Sequence, residues 1–288
     1  IKCAKDNNAD AVKLQTYNAD TMTIKSNKKY FKIKNGLWKN YNLWDLYDKA
    51  HTPWNWHKKI FEEAKKKKLI YFSSPFDETA VDFLEKLNVP AYKIASFEIN
   101  HHPLLKKIAK TKKPVIMSTG LAKAKEIYDA INILKKNGTK NIAILKCTSS
   151  YPAVIRDLNL NTIVEMRKKF KCEIGFSDHS LGNTAALTAI ALGATIIEKH
   201  LTIKKNFGID GKFSSEFKEM KDLKQKSIET WQSKGKIFFG ATNTEKKYLK
   251  YRRSIYVCKN INKGEFFSYN NLKVIRPALG LHPKYLEN

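Results

Sequence analysis

Short β-strand patterns alternate with helical patterns along most of this chain, and this alternation restricts the fold more than any other feature. The strand patterns are rich in β-branched and aromatic residues, and apolar residues recur at helical spacing in most of the segments between them. Such alternation is typical of a parallel sheet, either doubly wound or closed as a (β/α)8 barrel. The seven predicted strands are residues 11–17, 70–76, 91–98, 114–120, 142–152, 172–180 and 195–202.

The barrel is the favoured alternative of the two. No Gly-x-Gly-x-x-Gly sequence follows a predicted strand, which weakens the case for a dinucleotide-binding, doubly wound sheet. A barrel needs an eighth strand, and the chain starts at Ile1 in a sequence that resembles the end of a helix. We therefore predict an α/β fold, a (β/α)8 TIM barrel lacking its first strand, in a chain that is a fragment.

The pattern changes after about residue 220. A polar helical stretch (216–250) is followed by RRSIYVCKNINKGEFF, which is typical of short strands around a turn. The predicted organisation is a barrel over 1–225, a linker over 226–250 and a truncated, β-rich second domain over 251–288.

The formal net charge of +27 permits two interpretations. Strongly basic chains often bind nucleic acids. However, only five of the 54 basic residues are arginine, which is favoured for two-bond recognition of bases and phosphates, and the lysines are spread along the whole chain. We interpret the charge as a lysine-rich, solvated surface that attracts anionic small molecules. A nucleic-acid-binding protein stays the alternative from another class.

Cysteine spacing and hydropathy bear on the location of the protein. The four cysteines are far apart and form no Cys-x-x-Cys pair, which argues against a zinc ribbon or a redox motif. No run of about 18 apolar residues is present, so no transmembrane helix is predicted. We expect reduced thiols in a cytoplasmic protein that has no membrane partner.

Every predicted strand ends in polar residues. In a (β/α)8 barrel these ends converge on one rim, where active sites form. Seven polar ends together therefore predict a site at this rim. The residues concerned are Gln15, Tyr17, Ser73, Ser74, Ser96, Glu98, Ser118, Thr119, Thr148, Ser149, Tyr151, Ser177, Asp178, His179, Lys199 and His200.

Two imidazoles end the last two strands. Because neighbouring strands lie about 4.8 Å apart, His179 and His200 can bind one divalent metal ion, and Glu98 can add a carboxylate or hold a metal-bound water. The alternative is that each histidine only forms a hydrogen bond where its loop begins. We favour the metal, because the two histidines end adjacent strands.

Two lysines lie within apolar strand patterns instead of on helix faces. A buried lysine is almost never unpaired, so Lys13 and Lys93 need an anionic ligand or a carboxylate such as Glu98 or Glu198, and both alternatives stay open. Together with hydroxyl groups, the ammonium groups suit phosphate and carboxylate ligands. The hydroxyls would come from Ser74, Ser96, Ser118, Ser149 and Ser177.

Residues outside the strands have competing interpretations. Asp210 follows the last strand and can bind substrate hydroxyls or act as a base, although aspartate before glycine is also common in turns. Arg276 is a rare arginine in a lysine-rich chain, and an ion pair inside the small domain would explain it. Packing is favoured over sugar stacking for the aromatic residues Trp38, Trp44, Trp54 and Trp56.

Strings spread over nearly the whole chain resemble the sialic acid synthase (nonulosonic acid synthase) family, and most closely its pseudaminic acid synthase branch. The run QTYNADTMT, with GLW and HTPW, favours this branch over the N-acetylneuraminate and legionaminate branches. The strings are AVKLQTYNADTMT, GLW, HTPWNWH, YFSSPFDETAVDFLE, AYKIASFEI, MSTG, LKCTSSYP, GFSDHSLG, EKHLT, RRSIYVCKNINKGE and VIRPALGLHP.

The resemblance implies an enzyme with a (β/α)8 barrel and a small antifreeze-like (SAF) domain, which caps the partner's barrel in a domain-swapped homodimer. Such enzymes condense phosphoenolpyruvate with an N-acetylated amino sugar, giving a nonulosonic acid and phosphate, and use Mn²⁺, Mg²⁺ or Co²⁺. The pseudaminic branch takes 2,4-diacetamido-2,4,6-trideoxy-altrose. N-acetylneuraminate or legionaminate synthase is the nearest alternative. A metal-dependent barrel hydrolase would typically contain His-x-His, which is absent here.

The resemblance also implies roles for single residues. His179 and His200 match the metal ligands, and Glu98 matches an acidic residue near the metal. The loop around Asp210 departs from that of many relatives, and the family's first-strand glutamate precedes this chain. The expected catalytic residues are Glu98, His179, His200 and Asp210. The residues matched to phosphoenolpyruvate are Lys13, Ser74, Lys93, Ser96, Ser118, Ser149 and Ser177, and those matched to the sugar are Gln15, Tyr151, Asp210 and Arg276.

Overall fold

The computed structural model describes residues 1–287 and divides the chain into two compact units, Ile1–Lys234 and Gly235–Asn288. Asn288, the last residue of the predicted second domain, lies outside the described residues. The stretch predicted to be helical at 216–250 contains one long helix, Phe217–Lys234, which belongs to the first unit. The division into a barrel, a linker and a capping domain stays a prediction.

Seven parallel strands form the central sheet of the first unit. They are β1 (Ala11–Thr16), β2 (Ile70–Pro75), β3 (Tyr92–Ile94), β4 (Val115–Ser118), β5 (Ile142–Cys147), β6 (Glu173–Asp178) and β7 (Ile196–Lys199). Their order in the sheet follows the chain from β1 to β7, without the reversal that marks a doubly wound sheet. The sheet is curled, because Lys13 on β1 forms an ion pair with Glu198 on β7, at the opposite edge. The predicted α/β class is confirmed as a curled, parallel half-barrel.

The helices of the first unit are mostly amphipathic and lie between successive strands. In the helix after β2, for example, Asp77 caps the first turn by accepting hydrogen bonds from the Thr79 and Ala80 amides, while Val81 and Leu84 are fully buried. The helices are α1 (Lys2–Asp6), α2 (Ala19–Met22), α3 (Leu43–Ala50), α4 (Trp54–Lys66), α5 (Glu78–Lys86), α6 (His102–Lys110), α7 (Ala124–Lys136), α8 (Thr162–Phe170), α9 (Thr184–Ala191) and α10 (Phe217–Lys234).

Side chains alternate between the two faces of each strand, and this alternation separates the core from the site. Tyr92 and Ile94 of β3 belong to the main hydrophobic cluster, together with apolar side chains of the surrounding helices. Lys93, between them, points to the other face of the strand, because successive side chains of a strand point in opposite directions. There its ammonium group meets Ser118 and Glu198. The same alternation therefore fills the core and directs polar groups to the concave side.

All seven strands end earlier than predicted, and three of them end at least three residues early. The strand predicted at 142–152 ends at Cys147. The strand predicted at 91–98 ends at Ile94, and Ser96–Glu98 forms a 3-10 helix. The strand predicted at 195–202 stops at Lys199 and is followed by a separate short strand, β8 (Leu201–Thr202), which pairs in parallel with β9 (Ser215–Glu216). The Ser215 amide donates a hydrogen bond to the His200 carbonyl, so the chain after Lys199 pairs with the segment at Ser215 and Glu216.

The second unit contains an antiparallel pair of strands, β10 (Ser254–Val257) and β11 (Leu272–Ile275). Among the residues described in either unit, no helix combines the length and apolar character needed to cross a lipid bilayer.

Candidate active site

A carboxylate at the end of the sheet joins the two lysines of the predicted anion site. Glu198 lies 3.2 Å from Lys13 Nζ through Oε2 and 3.2 Å from Lys93 Nζ through Oε1. Lys93 also donates a hydrogen bond to Ser118 Oγ (2.7 Å), and Ser177 Oγ donates one to Glu198 Oε1 (2.8 Å). Of the two partners left open by the sequence, the structure shows the carboxylate. We call this group of five residues the anion cluster.

Charge in the anion cluster is unbalanced. Burial by itself would raise the pKa of Glu198, but the nearby ammonium groups of Lys13 and Lys93 hold it below the ordinary glutamate value. Burial lowers the pKa of Lys93, and Glu198 opposes this shift. Two lysines thus share one carboxylate, which leaves an excess of positive charge for an anionic ligand.

Serine hydroxyls surround a glycine beside this cluster. The Gly120 amide donates a hydrogen bond to Ser96 Oγ (3.1 Å). A Cβ atom at Gly120 would overlap Ser149 Oγ and lie only 2.8 Å from Ser96 Oγ, so the space that glycine leaves is occupied by hydroxyls. Ser74 Oγ is buried, and no hydrogen-bond partner for it occurs in the described part of the chain. These hydroxyls are available to a ligand.

The two predicted metal ligands are neighbours. The ring centroids of His179 and His200 are 5.3 Å apart. His179 Nδ1 lies 3.0 Å from the Thr148 carbonyl oxygen, so Nδ1 is the donor of this hydrogen bond and Nε2 is the nitrogen left to bind a metal. Burial, with the charges of Lys13 and His179, lowers the pKa of His200 to about 3 and keeps its ring neutral. Neutral imidazole is the form that binds metals.

Aromatic rings surround the imidazole pair. The Tyr151 ring lies 4.4 Å from His179, and the Phe213 ring lies 4.9 Å from His200, between centroids. Trp38 packs against Tyr151 at 5.5 Å. The insert at 20–50 therefore reaches the imidazole pair through Trp38. We call Trp38, Tyr151 and Phe213 the aromatic wall.

Two carboxyl groups complete the rim. Asp210 Oδ2 lies 3.6 Å from His200 Nδ1, and burial raises the pKa of Asp210. Glu98 Oε2 is buried, and none of residues 1–287 offers it a hydrogen bond. Burial raises the pKa of Glu98 to about 7. Gln15 is in register with Ser74 on the neighbouring strand.

The structure brings most of the predicted site residues to one rim. For Gln15 the structure gives its register beside Ser74, and Arg276 follows β11 in the second unit, so the roles of both stay predictions. The assigned roles of the other residues also stay predictions, because proximity does not identify a ligand. The residues found together are Lys13, Ser74, Lys93, Ser96, Glu98, Ser118, Ser149, Tyr151, Ser177, His179, His200 and Asp210.

Sequence reasoning assigned no site role to Phe213 or to three other residues found there. Glu198 was considered only as a structural partner for a lysine, yet it precedes His200 by two positions and so faces the same side of β7. Gly120 follows β4, and because glycine has no side chain, the sequence did not indicate a role for it in a site. Cys147 Sγ lies 3.8 Å from His179 Nδ1. Burial raises the pKa of Cys147, but His179, Ser96 and Lys93 together lower it to about 7.

The donor set fits a divalent metal held by few protein ligands. Among residues 1–287, no three histidine, cysteine, aspartate or glutamate side chains gather as a complete metal site. Two imidazoles are nevertheless adjacent, and the Glu98 oxygen that lacks a hydrogen-bond partner among residues 1–287 is of the type that divalent metals bind. Such an arrangement leaves coordination positions for water and substrate oxygens.

A curled parallel sheet whose strand ends gather two ammonium groups, several serines and two imidazoles is typical of an enzyme that acts on an anionic small molecule. The profile of the NeuB family matches residues 1–238. The chain belongs to the NeuB family, so the predicted family and the prediction of an enzyme are both confirmed.

Known relatives agree with this assignment. The chain is 44% identical to pseudaminic acid synthase of Campylobacter jejuni serotype O:2, over 100% of this chain and 84% of the relative. It is 42% identical to pseudaminic acid synthase of Helicobacter pylori, over 99% of this chain and 84% of the relative. The crystal structure of N-acetylneuraminic acid synthetase from Leptospira borgpetersenii serovar Hardjo-bovis, in complex with citrate, is 32% identical, with a TM-score of 0.76 over 87% of this chain and 83% of that chain.

Proposed function

We propose that this protein is a pseudaminic acid synthase, which condenses phosphoenolpyruvate with 2,4-diacetamido-2,4,6-trideoxy-altrose to a nonulosonic acid and phosphate. The observation that carries the proposal is the anion cluster beside the imidazole pair, on a chain 44% identical to a pseudaminic acid synthase. An enzyme for this reaction must hold a phosphate and a carboxylate next to a polarised aldehyde. The rim offers both kinds of group.

Phosphoenolpyruvate is proposed to bind at the anion cluster. Lys13 and Lys93 would offset the charges of its carboxylate and phosphate groups. The Ser74 hydroxyl, which has no hydrogen-bond partner among residues 1–287, can donate to this ligand, and Ser96 and Ser149 line the space next to Gly120. The remaining hydroxyls of this proposed subsite are those of Ser118 and Ser177.

The sugar is proposed to bind at the imidazole pair and the aromatic wall. His179 and His200 would hold the divalent ion, Mn²⁺, Mg²⁺ or Co²⁺, which when bound polarises the sugar aldehyde as a Lewis acid. Asp210 and Gln15 would bind the sugar's polar groups, and Tyr151 would pack against its ring or acetamido groups. Arg276 of a partner subunit is the proposed contact to an N-acetyl group.

The reaction then proceeds through one new carbon–carbon bond. C3 of phosphoenolpyruvate bonds to the aldehyde carbon of the sugar, and the aldehyde oxygen takes a proton. Water adds at C2 and gives up a proton, and the C2–O bond breaks to release phosphate and leave a 2-oxo acid. Glu98, whose pKa of about 7 lets it both accept and donate near neutral pH, is the proposed proton carrier.

The finer architecture is also proposed from the family. An eighth strand would close the half-barrel between β1 and β7, and the second unit would be part of an antifreeze-like domain that caps the barrel of a partner subunit. The four free cysteines support a reducing, cytoplasmic location.

Phosphate release measured with three sugars tests the proposal. We expect turnover with the 2,4-diacetamido-2,4,6-trideoxy-altrose and much slower turnover with N-acetylmannosamine and with the sugar precursor of legionaminate. Preference for either of the latter would assign the protein to the corresponding branch. His179→Gln and His200→Gln should each lower turnover by at least about 10³-fold. Steep salt-dependent retention on DNA without phosphoenolpyruvate binding would instead favour a nucleic-acid-binding protein.

A further inference from the structure

A buried ion pair links the two strands that end in the proposed metal ligands. Lys199 Nζ on β7 lies 2.7 Å from Asp178 Oδ2 on β6. The lysine and aspartate side chains are only 1% and 0% exposed. This pair is not part of the anion cluster, because each residue points to the strand face opposite its neighbours Ser177 and Glu198.

Both members of the pair are fully satisfied by hydrogen bonds. Lys199 also donates to the carbonyl oxygens of Ser180 (3.0 Å) and Gly182 (3.1 Å), so all three ammonium protons have acceptors. Asp178 Oδ1 accepts from the Ser180 amide (2.8 Å) and the Ser180 hydroxyl (2.7 Å). Gly182 has a φ of +71°, a conformation that favours glycine. The pair therefore ties β7 to the loop that follows β6.

The position of the pair relates it directly to the imidazoles. Asp178 and Lys199 are Cα partners in the last registered position of β6 and β7, and the next residues are His179 and His200. The carbonyl groups of both histidines are also held, by the amides of Ala153 and Ser215 respectively. The backbone on which each imidazole stands is thus fixed immediately before and at the histidine.

We infer that Asp178 and Lys199 are positioning residues that set the separation and orientation of His179 and His200 for one divalent ion. Buried ion pairs can often be replaced by neutral residues with little loss of stability, so stability alone does not account for a fully bonded pair at this place. Partners that orient metal ligands commonly change metal affinity by about 10- to 100-fold when they are mutated. This inference rests on the metal site proposed above.

The test is Mn²⁺ binding to the metal-free protein, followed by isothermal titration calorimetry, with Co²⁺ absorption as a second reading of ligand geometry. The main variant is Asp178→Asn/Lys199→Met, which leaves no buried charge unpaired. We expect its Mn²⁺ dissociation constant to rise at least about 10-fold, with an altered Co²⁺ spectrum and unchanged phosphoenolpyruvate binding. The matched control is Asp82→Asn/Lys107→Met, which removes an Asp–Lys pair between α5 and α6 and should leave Mn²⁺ binding unchanged.

The possible results separate the inference from the proposed site. If His179→Gln and His200→Gln weaken Mn²⁺ binding but the folded double variant binds Mn²⁺ like the wild type, the positioning role is wrong and the metal site stands. If both histidine variants bind Mn²⁺ like the wild type, the metal site itself is wrong. Should the double variant fail to fold, Lys199→Arg decides: it keeps the charge but alters the geometry, and an unchanged dissociation constant and Co²⁺ spectrum would refute the inference.

Discussion

The anion cluster around Glu198 and the imidazole pair of His179 and His200 lie on the same rim but differ in their charge. In the anion cluster, charged groups are buried together and pair with one another, and the Lys93 side chain is only 2% exposed. In the imidazole pair, the rings lie among aromatic side chains, and burial keeps the His200 ring neutral.

The two regions are nevertheless dependent on each other. The positive charge of Lys13 contributes to lowering the pKa of His200, so the excess charge that suits the anion cluster to a phosphate also keeps the neighbouring ring neutral. Neutral rings are needed to bind a metal, whereas ammonium groups are needed to bind an anion. We therefore expect a substitution in one region to weaken mainly the binding of that region's own ligand, and to change binding in the other region less.

Lys93→Met is expected to have the largest effect. It removes a buried ammonium group and leaves Glu198 with one partner fewer, so kcat/KM for phosphoenolpyruvate should fall at least about 10²-fold, and the free energy of unfolding should fall by about 3 kcal/mol. Steady-state kinetics and urea denaturation measure the two effects.

A double variant distinguishes the catalytic from the structural part of this loss. Lys93→Met/Glu198→Gln removes both charges and should recover much of the stability while turnover stays low. If Lys93→Met alone kept turnover within about threefold of the wild type, the anion cluster would not be the phosphoenolpyruvate site.

Gly120→Ala should weaken the binding of phosphoenolpyruvate through a steric clash. The added Cβ would overlap Ser149 Oγ, so we expect KM for phosphoenolpyruvate to rise about 10- to 100-fold while Mn²⁺ binding changes little. The control is Gly120→Ala/Ser149→Ala, which removes the overlapping hydroxyl and should restore part of the affinity. An unchanged KM in the single variant would contradict the position of the substrate at these hydroxyls.

Much of the fold could be predicted because its signals are local. Strand patterns, helical spacing and polar strand ends are all read within a few residues, and all seven parallel strands begin within one residue of the predicted start. The end of β5 was predicted too late. The ends of β3 and β7 could not be predicted either. They depend on the 3-10 helix at Ser96–Glu98 and on Ser215, which meets the chain only after folding.

The residues of the site can likewise be divided into those that the sequence identifies and those that depend on tertiary contacts. Lys13, Lys93 and the two histidines could be identified because a buried ammonium or a strand-end imidazole is unusual by itself. The role of Glu198 depends on the curling of the sheet, which brings β1 close to β7. The role of Gly120 depends on its lack of a Cβ atom, which leaves space for the neighbouring serine hydroxyls. Neither property is visible in a single sequence.

Trp38→Ala should weaken binding of the sugar and leave binding of phosphoenolpyruvate unchanged. Trp38 packs on Tyr151 beside the imidazole pair, so removing its ring should raise KM for the sugar about 10-fold without changing KM for phosphoenolpyruvate. Trp44→Ala is the matched control, because Trp44 lies in the same insert and donates to Asp20 at an exposed site. Equal effects of the two variants would indicate that the insert acts only through its fold.

The smallest predicted effect is in the pH dependence of stability, and it is tested with Glu98→Gln. The pKa of Glu98 is raised from about 4.5 to about 7 by burial, so the protonated carboxyl favours the folded state. Its contribution is complete below the unfolded value and is lost as pH rises through about 7. In the wild type, measured in EDTA, the free energy of unfolding should therefore decrease between pH 5 and 8 by about 1–2 kcal/mol more than in Glu98→Gln, which cannot ionise. Urea denaturation across this pH range measures the difference. Parallel curves for the two proteins would show that Glu98 is solvated in the folded state and would remove the basis for its proposed role as proton carrier.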